Sequence, residues 1–431
     1  MRPIPPAEPP ASGDALTDSP AADHPCPAWL AQRLRQAGGR VPFRTYMDWV
    51  LNDPEHGAYG SGRLHIGPTG DFSTSPSLSD DFAALLAPQL AAWLAQLGPG
   101  PLSLVETGPG EGDLAADLAA ELARHWPELA ARCELVLVDP NPGLVERQRQ
   151  RLQNCPLPVR WASLAQLAAA PLTGVVLAHE VLDALPIERI VWDGGSWRRQ
   201  LVELRPQPEG EVLALCGGEP LNPVELAQLE ALGLGDPGPQ RPAGWCSELH
   251  PGLEPWLAAC AAALARGCLL VIDYAHEAAR YYAPQRANGT LMAYRRQVAS
   301  SDPLLDPGAW DLTAHLCIES VCAAAIASGW LPMGQRRQGE ALLALGLAQR
   351  LHGLQQRPGT ALGELLARRE ALLRLVDPAA LGDFRWLAFQ RQGDHGSEGG
   401  DGDGSTSDKS GGDGHADATR TPLFLQDPPL A

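Results

Sequence analysis

The sequence predicts an α/β fold built on a mostly parallel sheet, and three apolar segments lead to this prediction. The first, 102–106, has the length of a short buried strand and is followed by a glycine-rich turn and an Ala/Leu-rich helix that begins near Asp113. The second, 133–139, ends in an acidic residue. The third, 174–178, has no polar residue, which is typical of a parallel strand buried on both faces. Strands that alternate with helices in this way favour a parallel sheet.

The turn after the first strand carries glycine at alternate positions, Gly108, Gly110 and Gly112, and Glu106 precedes it. Glycine accepts positive φ and lets a ligand lie directly on the main chain. Dinucleotide sites favour the spacing Gly-x-Gly-x-x-Gly and hold a pyrophosphate at the helix N-terminus, whereas Glu106 would repel a phosphate. An acid here suits a ligand with an amino group and a sulfonium, so the turn predicts S-adenosylmethionine (SAM) as the cofactor. A nicotinamide-dependent oxidoreductase is an alternative that the spacing disfavours, and a purely structural turn would need only one glycine.

The second predicted strand ends in Asp139. An acid at that point of a strand–helix–strand unit is placed to accept hydrogen bonds from ribose hydroxyls. Alternatively, Asp139 is the N-cap of the helix that runs to Leu152, because Pro140 and Pro142 follow it closely. The two roles are compatible.

Polar residues follow the third strand: His179, Glu180 and Asp183. Ligands of open α/β sheets bind outside the carboxyl ends of the strands, so these side chains are placed to meet a substrate. The alternative is a structural role, in which these residues are a helix cap and a solvated acid. That role would account for one carboxylate at this position better than for two carboxylates and a histidine. Glu180 and Asp183 are therefore candidates for contact with a substrate.

The totals exclude several classes of protein. With 431 residues and 45% hydrophobic side chains, the chain can bury a sizeable core in one large or two ordinary domains. Its 33 basic and 51 acidic residues give a net charge of −18, which argues against nonspecific nucleic-acid binding. Nine cysteines without a Cys-x-x-Cys pair favour free thiols in a reducing compartment over disulfides or a zinc site. Without a signal or transit pattern or a membrane-length apolar stretch, we expect a bacterial cytoplasmic protein.

The N-terminal part, 27–98, is predicted to form a helical cap with a glycine-rich loop. Helices are expected at 29–37, which ends at two glycines, and at 43–51, which an Asp-Pro pair closes. The loop 55–76 follows, and long loops in compact domains are usually functional. A solvated surface loop is the slightly favoured alternative. A helix at 79–97 completes the cap, with leucines and a tryptophan on one face.

The core, 99–390, is expected to contain an insertion at about 187–250. Residues 187–215 alternate in polarity, which predicts an antiparallel meander, and a helix should follow it. Residues 268–274 form the expected fifth core strand. Asp311 is a plausible N-cap for a further helix.

Both ends of the chain have compositions that do not support a packed core. Residues 1–26 are rich in Pro, Ala and Asp, and residues 391–431 form an acidic tail rich in Gly, Asp and Ser. We therefore predict that both are disordered.

The chain resembles the MidA-like family of SAM-dependent methyltransferases, which includes the mitochondrial complex I assembly factor that methylates an arginine of a complex I subunit. The resemblance extends from about Phe43 to Phe389. It rests on a series of ordered motifs: Asp53-Pro-Glu-His-Gly-Ala-Tyr59, Gly70-Asp-Phe-Ser-Thr-Ser-Pro76, Glu106-Thr-Gly-Pro-Gly-Glu-Gly112, Glu180-Val-Leu-Asp-Ala-Leu-Pro186, Ile272-Asp-Tyr274, Gly289-Thr-Leu291, Asp311-Leu-Thr-Ala-His315 and Gln338-Gly-Glu-Ala-Leu-Leu343.

The resemblance implies a Rossmann-like class I methyltransferase sheet without a metal, and a protein substrate such as a subunit of an NADH dehydrogenase-like complex. The three glycines would carry SAM, with Glu106 at its methionine end and Asp139 at its ribose. For an arginine acceptor, Glu180 and Asp183 could orient the guanidinium in a fork and stabilise its charge. The resemblance adds further site-lining candidates: Asp71 and His315. His315 could act as a base, although a histidine on the first turn of a helix is more often structural.

Several positions depart from the family pattern: Ser77, His179, Ala275, Gln297 and Asp139. Most of them lie on the substrate side. They leave open an alternative, a non-catalytic assembly chaperone or interaction module with a degenerate SAM pocket. The intact glycine turn and the two acids after the third strand argue against that alternative.

Overall fold

The structure, a computed structural model, describes residues 24–64, 66–67, 70–71, 74–235, 237–355, 361–392 and 421–429. The two segments predicted to be disordered, 1–26 and 391–431, lie largely outside these residues. Where they are described, they differ from the prediction. His24–Pro25 pairs with a strand of the insertion, and residues 421–429 pack on the core through the buried side chain of Phe424. An apolar Leu-Phe-Leu sequence supplies the burial that the preceding Gly/Asp/Ser-rich composition lacks.

The helices of the described part of the chain are distributed along its whole length. They are α1 (Ala28–Gln36), α2 (Phe43–Asn52), α3 (Ser75–Leu78), α4 (Asp81–Gln96), α5 (Asp113–His125), α6 (Pro127–Ala130), α7 (Pro142–Arg151), α8 (Leu164–Ala168), α9 (Pro223–Ala231), α10 (Leu253–Ala263), α11 (Ala278–Tyr281), α12 (Ile318–Ala327), α13 (Gln338–Ala344), α14 (Leu347–Gln355) and α15 (Leu362–Leu375).

The strands belong to one large mixed sheet, one antiparallel sheet and two small ones. They are β1 (His24–Pro25), β2 (Arg40–Pro42), β3 (Leu102–Thr107), β4 (Cys133–Val138), β5 (Val159–Trp161), β6 (Leu172–His179), β7 (Glu188–Trp192), β8 (Trp197–Gln207), β9 (Gly210–Pro220), β10 (Cys246–Leu249), β11 (Leu264–Asp273), β12 (Ala275–His276), β13 (Met292–Arg295), β14 (Val298–Ser300), β15 (Asp311–Thr313), β16 (Leu316–Cys317), β17 (Leu331–Arg337) and β18 (Arg385–Arg391).

The large sheet has seven strands in the order β17-β18-β11-β6-β3-β4-β5. From β11 to β5 the strands are parallel, which confirms the predicted α/β core, while β18 and β17 are antiparallel to their neighbours. The register aligns Thr107 of β3 with Ala178 of β6, and His179 with Ile272 of β11. The carboxyl ends of three strands therefore meet at one edge, which is where an open α/β sheet binds its ligand.

Helices cover both faces of this sheet. On one face α4 buries the predicted apolar side, including Leu86, Leu90 and Trp93, against α5 and the strands. On the other face α10 and α12 pack on β6 and β11. Fully burying one such large apolar side chain is worth about 1.5–3 kcal/mol, so these two layers hold the edge of the sheet in place.

The insertion is the predicted antiparallel meander, β7, β8 and β9, which pairs further with β1, β2 and β10. The N-terminal helices α1 and α2 pack against this inserted sheet, with Leu30, Phe43 and Tyr46 buried beside Val202. Helices α1 and α2 of the predicted cap therefore form one packed unit with the insertion, whereas α4 belongs to the core of the large sheet. No helix among the described residues is long and apolar enough to span a membrane.

Two predicted helix boundaries are wrong. Asp311 does not cap a helix; it begins β15, where it pairs with Tyr294 of β13, and the next helix starts only at Ile318. Before the fifth core strand the sequence predicts a helix from Leu253 to Arg266, but this helix, α10, ends at Ala263, because β11 pairs with β6 from Leu264 onward. In both cases pairing between distant segments overrides a local helix signal.

Candidate active site

A cavity of about 730 Å³ opens at the carboxyl edge of the large sheet. Its floor is the turn between β3 and α5, and one wall is the turn after β6. The loop after α2 covers the cavity. A hydrogen bond that the Asn141 side-chain amide donates to the backbone carbonyl of Tyr59 holds this loop in place. The predicted residues that line the cavity are Glu106, Gly108, Gly110, Asp139, His179 and Glu180.

The glycine turn has the conformation that its sequence predicts. Gly108, Gly110 and Gly112 have φ values of 59°, 54° and 87°, in the left-handed region that side chains disfavour. A Cβ on Gly110 would lie 2.9 Å from the Cδ1 of Ile66, which faces the turn from the covering loop. Glycine thus shapes a backbone surface on which a ligand can lie.

Glu106 places its carboxyl group in the wall of this cavity. Its side chain is only 4% exposed, and its Oε2 has no hydrogen-bond partner among the described residues. Burial, and secondarily the nearby charge of Asp113, raises the pKa of Glu106 to about 8. A buried carboxyl without a cation fits a ligand that brings an ammonium group, as the methionine end of SAM does, and it does not fit a phosphate.

Replacing Glu106 with glutamine is expected to stabilise the cofactor-free protein increasingly as the pH rises. A carboxyl whose pKa is higher in the folded state contributes stability below its unfolded pKa, and that contribution is lost as the pH rises toward the folded pKa. For Glu106 this window runs from 4.5 to about 8, at about 1.4 kcal/mol per pH unit. Thermal unfolding of both proteins across the window measures the difference.

The comparison with the variant also removes a competing effect. Burial lowers the pKa of His179 and of His276 to about 3. These two groups therefore destabilise the folded state when the pH falls below 6.5, the ordinary pKa of histidine. They are present in both proteins and cancel in the difference. A stability difference that is constant over the window would show that Glu106 is not held neutral by its surroundings.

Asp139 also lines the cavity, at the end of β4. Its Oδ1 accepts a hydrogen bond from the Asn141 amide at 2.8 Å, and its Oδ2 accepts one from the Gln148 side chain at 2.7 Å. The N-cap of α7 is Asn141, whose side chain accepts from the amides of Gly143 and Leu144. The alternative role predicted for Asp139, a helix N-cap, is therefore wrong, and its carboxylate is fixed at the cavity wall.

Four acids, which we call the acidic cluster, lie at and behind the wall of the cavity: Glu180, Asp183, Asp273 and Asp311. All four are largely or fully buried, and no arginine in the described parts of the chain forms an ion pair with them. Burial, and then the neighbouring carboxylates, raise the pKa values of Glu180 and Asp183 well above their usual range. Such a cluster repels itself until a cation enters it.

Asp273 holds the turn that carries the two predicted catalytic acids. Its Oδ2 accepts hydrogen bonds from the backbone amides of Val181, Leu182 and Asp183, at 3.3, 2.9 and 3.3 Å. Glu180, at the start of this turn, has a φ of 52°. Four backbone amides in all, including that of Tyr274, lower the pKa of Asp273, but burial dominates and raises it to about 7. The sequence predicted this aspartate only as the end of a strand.

Asp311, which the sequence predicts as a helix N-cap, is instead a buried acid of β15. It is 2% exposed, and its Oδ1 has no hydrogen-bond partner within the described residues. The Tyr59 hydroxyl hydrogen-bonds to this carboxyl, and the amide of Ala314, just after β15, donates to the backbone carbonyl of Asp183 at 3.0 Å. The sequence signal that could have placed Asp311 in a strand is the apolar Leu312 that follows it directly.

Tyrosine rings surround the acidic cluster. Burial, and then the charges of Asp183 and Asp311 among others, raise the pKa values of Tyr59 and Tyr294. The same is true of Tyr274, where Glu180 is the largest charge. The acidic cluster is thus flanked by three tyrosine side chains, and Tyr59 and Glu180 also line the cavity.

The two candidates that came from the resemblance, Asp71 and His315, differ in their relation to the acidic cluster. Asp71 is near it, because its charge raises the pKa of Asp311, and its Oδ1 accepts from the amide of Arg296 at 3.1 Å. His315 lies between β15 and β16 rather than on a helix, and it stacks on Tyr274 with ring centroids 5.3 Å apart. Burial lowers its pKa to about 3. This geometry favours positioning of Tyr274 over proton transfer.

The residues that depart from the family pattern are integrated into the site. His179 packs against Phe82, and its Nδ1 lies 3.5 Å from Oε1 of Glu180. Ser77 exchanges hydrogen bonds with the backbone of Thr74, and the Gln297 side chain donates to the carbonyl of Gly70 at 3.1 Å. These contacts hold the turns near the cavity in place. The three residues that differ from the family pattern therefore do not disrupt the site.

Comparisons with known proteins agree with this geometry. The model of a family described as S-adenosyl-L-methionine-dependent methyltransferase matches residues 85–335, more than half of the chain. A mitochondrial protein of Drosophila melanogaster, named protein arginine methyltransferase NDUFAF7 homolog, is 28% identical over 397 residues, 84% of each chain. The Xenopus laevis protein arginine methyltransferase NDUFAF7 is 26% identical over 64% of each chain.

A solved structure gives the same result for the fold and the cofactor. A protein from Burkholderia thailandensis, crystallised with S-adenosyl-homocysteine, is 31% identical and superimposes with a TM-score of 0.74 over 84% of this chain and 91% of its own. S-adenosyl-homocysteine is SAM without its methyl group, and the cavity described above has the cradle and the acid that such a ligand requires. SAM is therefore the cofactor, and the chain belongs to the MidA-like family of SAM-dependent methyltransferases.

Proposed function

We propose that this methyltransferase acts on an arginine side chain of a protein. The observation that carries the proposal is the acidic cluster, whose buried carboxyls have no arginine partner among the described residues and reach the cofactor cavity through Glu180. A guanidinium supplies the missing positive charge, and its planar N–H groups match carboxylates in pairs. The names of the relatives in fly and frog, which are protein arginine methyltransferases, support the same acceptor.

The cofactor would lie in the cavity, held by residues that the sequence predicted. Gly108, Gly110 and Gly112 would carry it on their backbone, Glu106 would meet its ammonium group and Asp139 its ribose hydroxyls. When bound, SAM supplies an electrophilic methyl group on a positively charged sulfur. The protein's contribution is to place the acceptor nitrogen in line with that group, and positioning of this kind supplies several kcal/mol of the barrier.

Glu180 and Asp183 would hold the guanidinium, with Asp311 on the strand beside them. A guanidinium in the cluster favours the ionised carboxylates, so the pKa values that burial raises would fall again when it binds. An ionised carboxylate can then accept the proton that the acceptor nitrogen must lose on methylation. The tyrosines that flank the acidic cluster would exclude water and could contact the cation through their rings.

The physiological partner that we propose is a subunit of an NADH dehydrogenase-like complex, as the family resemblance implies. The net charge of −18 suits a basic protein surface. All nine cysteines are free thiols, which supports a reducing compartment, and a bacterial cytoplasm is our proposed location.

Methyl transfer to a purified subunit tests this function. We expect the protein, supplied with isotopically labelled SAM and the recombinant subunits of the complex, to add label to one of them at an arginine that fragment mass spectrometry can locate. Replacing the labelled arginine with lysine in the substrate is the matched control and should remove the signal. Label on a residue other than arginine would contradict the acceptor. Binding of a subunit without any label would instead favour the assembly chaperone.

A further inference from the structure

Residues 421–429, which we call the C-terminal segment, return to the core after residues 393–420. They lie against a groove formed by α4, β17 and β18, with α13 and α14 at its side. Trp386, whose ring contacts Phe424 in this groove, also contacts Phe82 and donates a hydrogen bond to Gln338. Neither the cofactor nor the proposed acceptor accounts for the groove.

One aromatic side chain anchors the C-terminal segment. Phe424 is fully buried, with its ring 5.5 Å from that of Trp386 and 6.4 Å from that of Trp93. The next residue, Leu425, lies over Gly334, where a Cβ would come within 2.5 Å of the leucine Cδ1. The groove thus has one deep aromatic pocket and a glycine that leaves room for the neighbouring side chain.

Side chains of the groove also bind the backbone of the C-terminal segment. The Gln89 side-chain carbonyl accepts a hydrogen bond from the Phe424 amide at 3.2 Å. Arg336 donates to the carbonyls of Phe424 and Gln426, at 3.1 and 2.8 Å. Gln349 donates to the carbonyl of Pro429 at 2.9 Å. Recognition of main-chain groups around one buried aromatic anchor is the pattern by which domains bind linear peptides.

A chain of contacts leads from this groove to the candidate catalytic acid. The Trp386 indole donates to the side-chain carbonyl of Gln338 at 3.3 Å, and the Gln338 amide donates to the Ser75 hydroxyl at 3.1 Å. The backbone amide of Ser75 in turn hydrogen-bonds to the Glu180 carboxylate. The anchor of the C-terminal segment therefore supports the wall that positions Glu180.

We propose that this groove is a docking site for a linear peptide with a central phenylalanine, occupied by the chain's own C-terminal segment, and that its occupancy positions Glu180 for methyl transfer. Attachment to the same chain gives the segment a high effective concentration at the groove, so a modest intrinsic affinity is enough to fill it. The effect on transfer rests on the proposed function, whereas the docking does not.

The test uses the full-length protein with Phe424→Ala, which vacates the pocket, and Asp427→Ala as a matched change at an exposed position of the same segment. We expect Phe424→Ala to unfold at a lower temperature and to transfer methyl groups at least ~10-fold more slowly with unchanged affinity for SAM. A synthetic peptide of residues 421–429 should restore both properties and should quench or shift the fluorescence of Trp93 and Trp386. The same peptide with alanine at its phenylalanine should bind at least ~10-fold more weakly.

The possible outcomes separate the claims. If the two variants are indistinguishable, or if the peptide fails to rescue Phe424→Ala, the segment is an ordinary part of the core and the proposal is overturned. A wild-type dimer in light scattering that added peptide dissociates would make a second copy the occupant and overturn binding within one chain. If no protein transfers methyl groups but the peptide restores stability, the proposed function fails and the docking stands.

Discussion

Replacing Glu180 with glutamine is expected to lower the turnover rate by about 10²–10³-fold, while the affinity for SAM stays within a few-fold of wild type. The substitution keeps the size of the side chain and the backbone at its φ of 52°. It removes only the charge, which in our proposal orients the guanidinium and receives its proton. A loss confined to the transition state lowers kcat and kcat/KM together.

Isothermal titration with SAM and single-turnover transfer measure the two quantities separately. Glu188→Gln is the matched control: burial likewise raises the pKa of Glu188, to about 7, but this acid pairs with Arg199 on the inserted sheet and does not line the cavity. We expect it to change stability and to leave transfer near wild type. Weak SAM binding by the Glu180 variant would instead assign this acid to the cofactor.

The cofactor half of the site could be predicted from the sequence because its parts are contiguous. The strand, the glycine turn and the helix at 102–125 follow one another, and the strand that ends before Asp139 belongs to the same local unit. Parallel strands bring their carboxyl ends to one edge. The positions of Glu106 and Glu180 at the cavity therefore follow from segment order alone.

The acceptor half depends on contacts between distant segments, and there the sequence was less informative. Asp311 joins the cluster because β15 pairs with β13, and Tyr59 reaches it from a loop that precedes the core. Asp273 hydrogen-bonds to amides some ninety residues earlier in the chain. The residues next to Asp311 in the sequence include neither Tyr59 nor the strand β13 with which it pairs. The local pattern around Asp311 therefore indicates a helix cap, which the fold does not contain.

The C-terminal segment illustrates a related difficulty. Composition averaged over 391–431 is that of a chain with too little apolar surface to fold, and the average conceals one phenylalanine with leucines on both sides. Its burial depends on a pocket made by Trp93 and Trp386, which are far apart in the sequence. Only the folded core makes such a segment recognisable.

Gly110→Val is expected to weaken SAM binding by at least ~100-fold, which corresponds to about 2.7 kcal/mol. Two effects add at this position. Its φ of 54° is costly for a β-branched residue, by about 1–3 kcal/mol. The added Cβ would also lie 2.9 Å from the Cδ1 of Ile66, and the rest of the side chain would enter the space that we propose for the cofactor.

A second glycine separates the two effects. Gly38 lies outside the cavity, in the turn between α1 and β2, and has a φ of 88°. Apart from its chain neighbours, no described atom lies within 4 Å of a Cβ built on it. Gly38→Val therefore imposes backbone strain without filling a ligand site, and it should lower the unfolding temperature while SAM binds as in wild type. Titration calorimetry on both variants, with circular dichroism as the check of folding, decides between them. Normal SAM binding by a folded Gly110→Val protein would mean that the cofactor does not lie on this turn, because no ligand could share that space with a valine side chain.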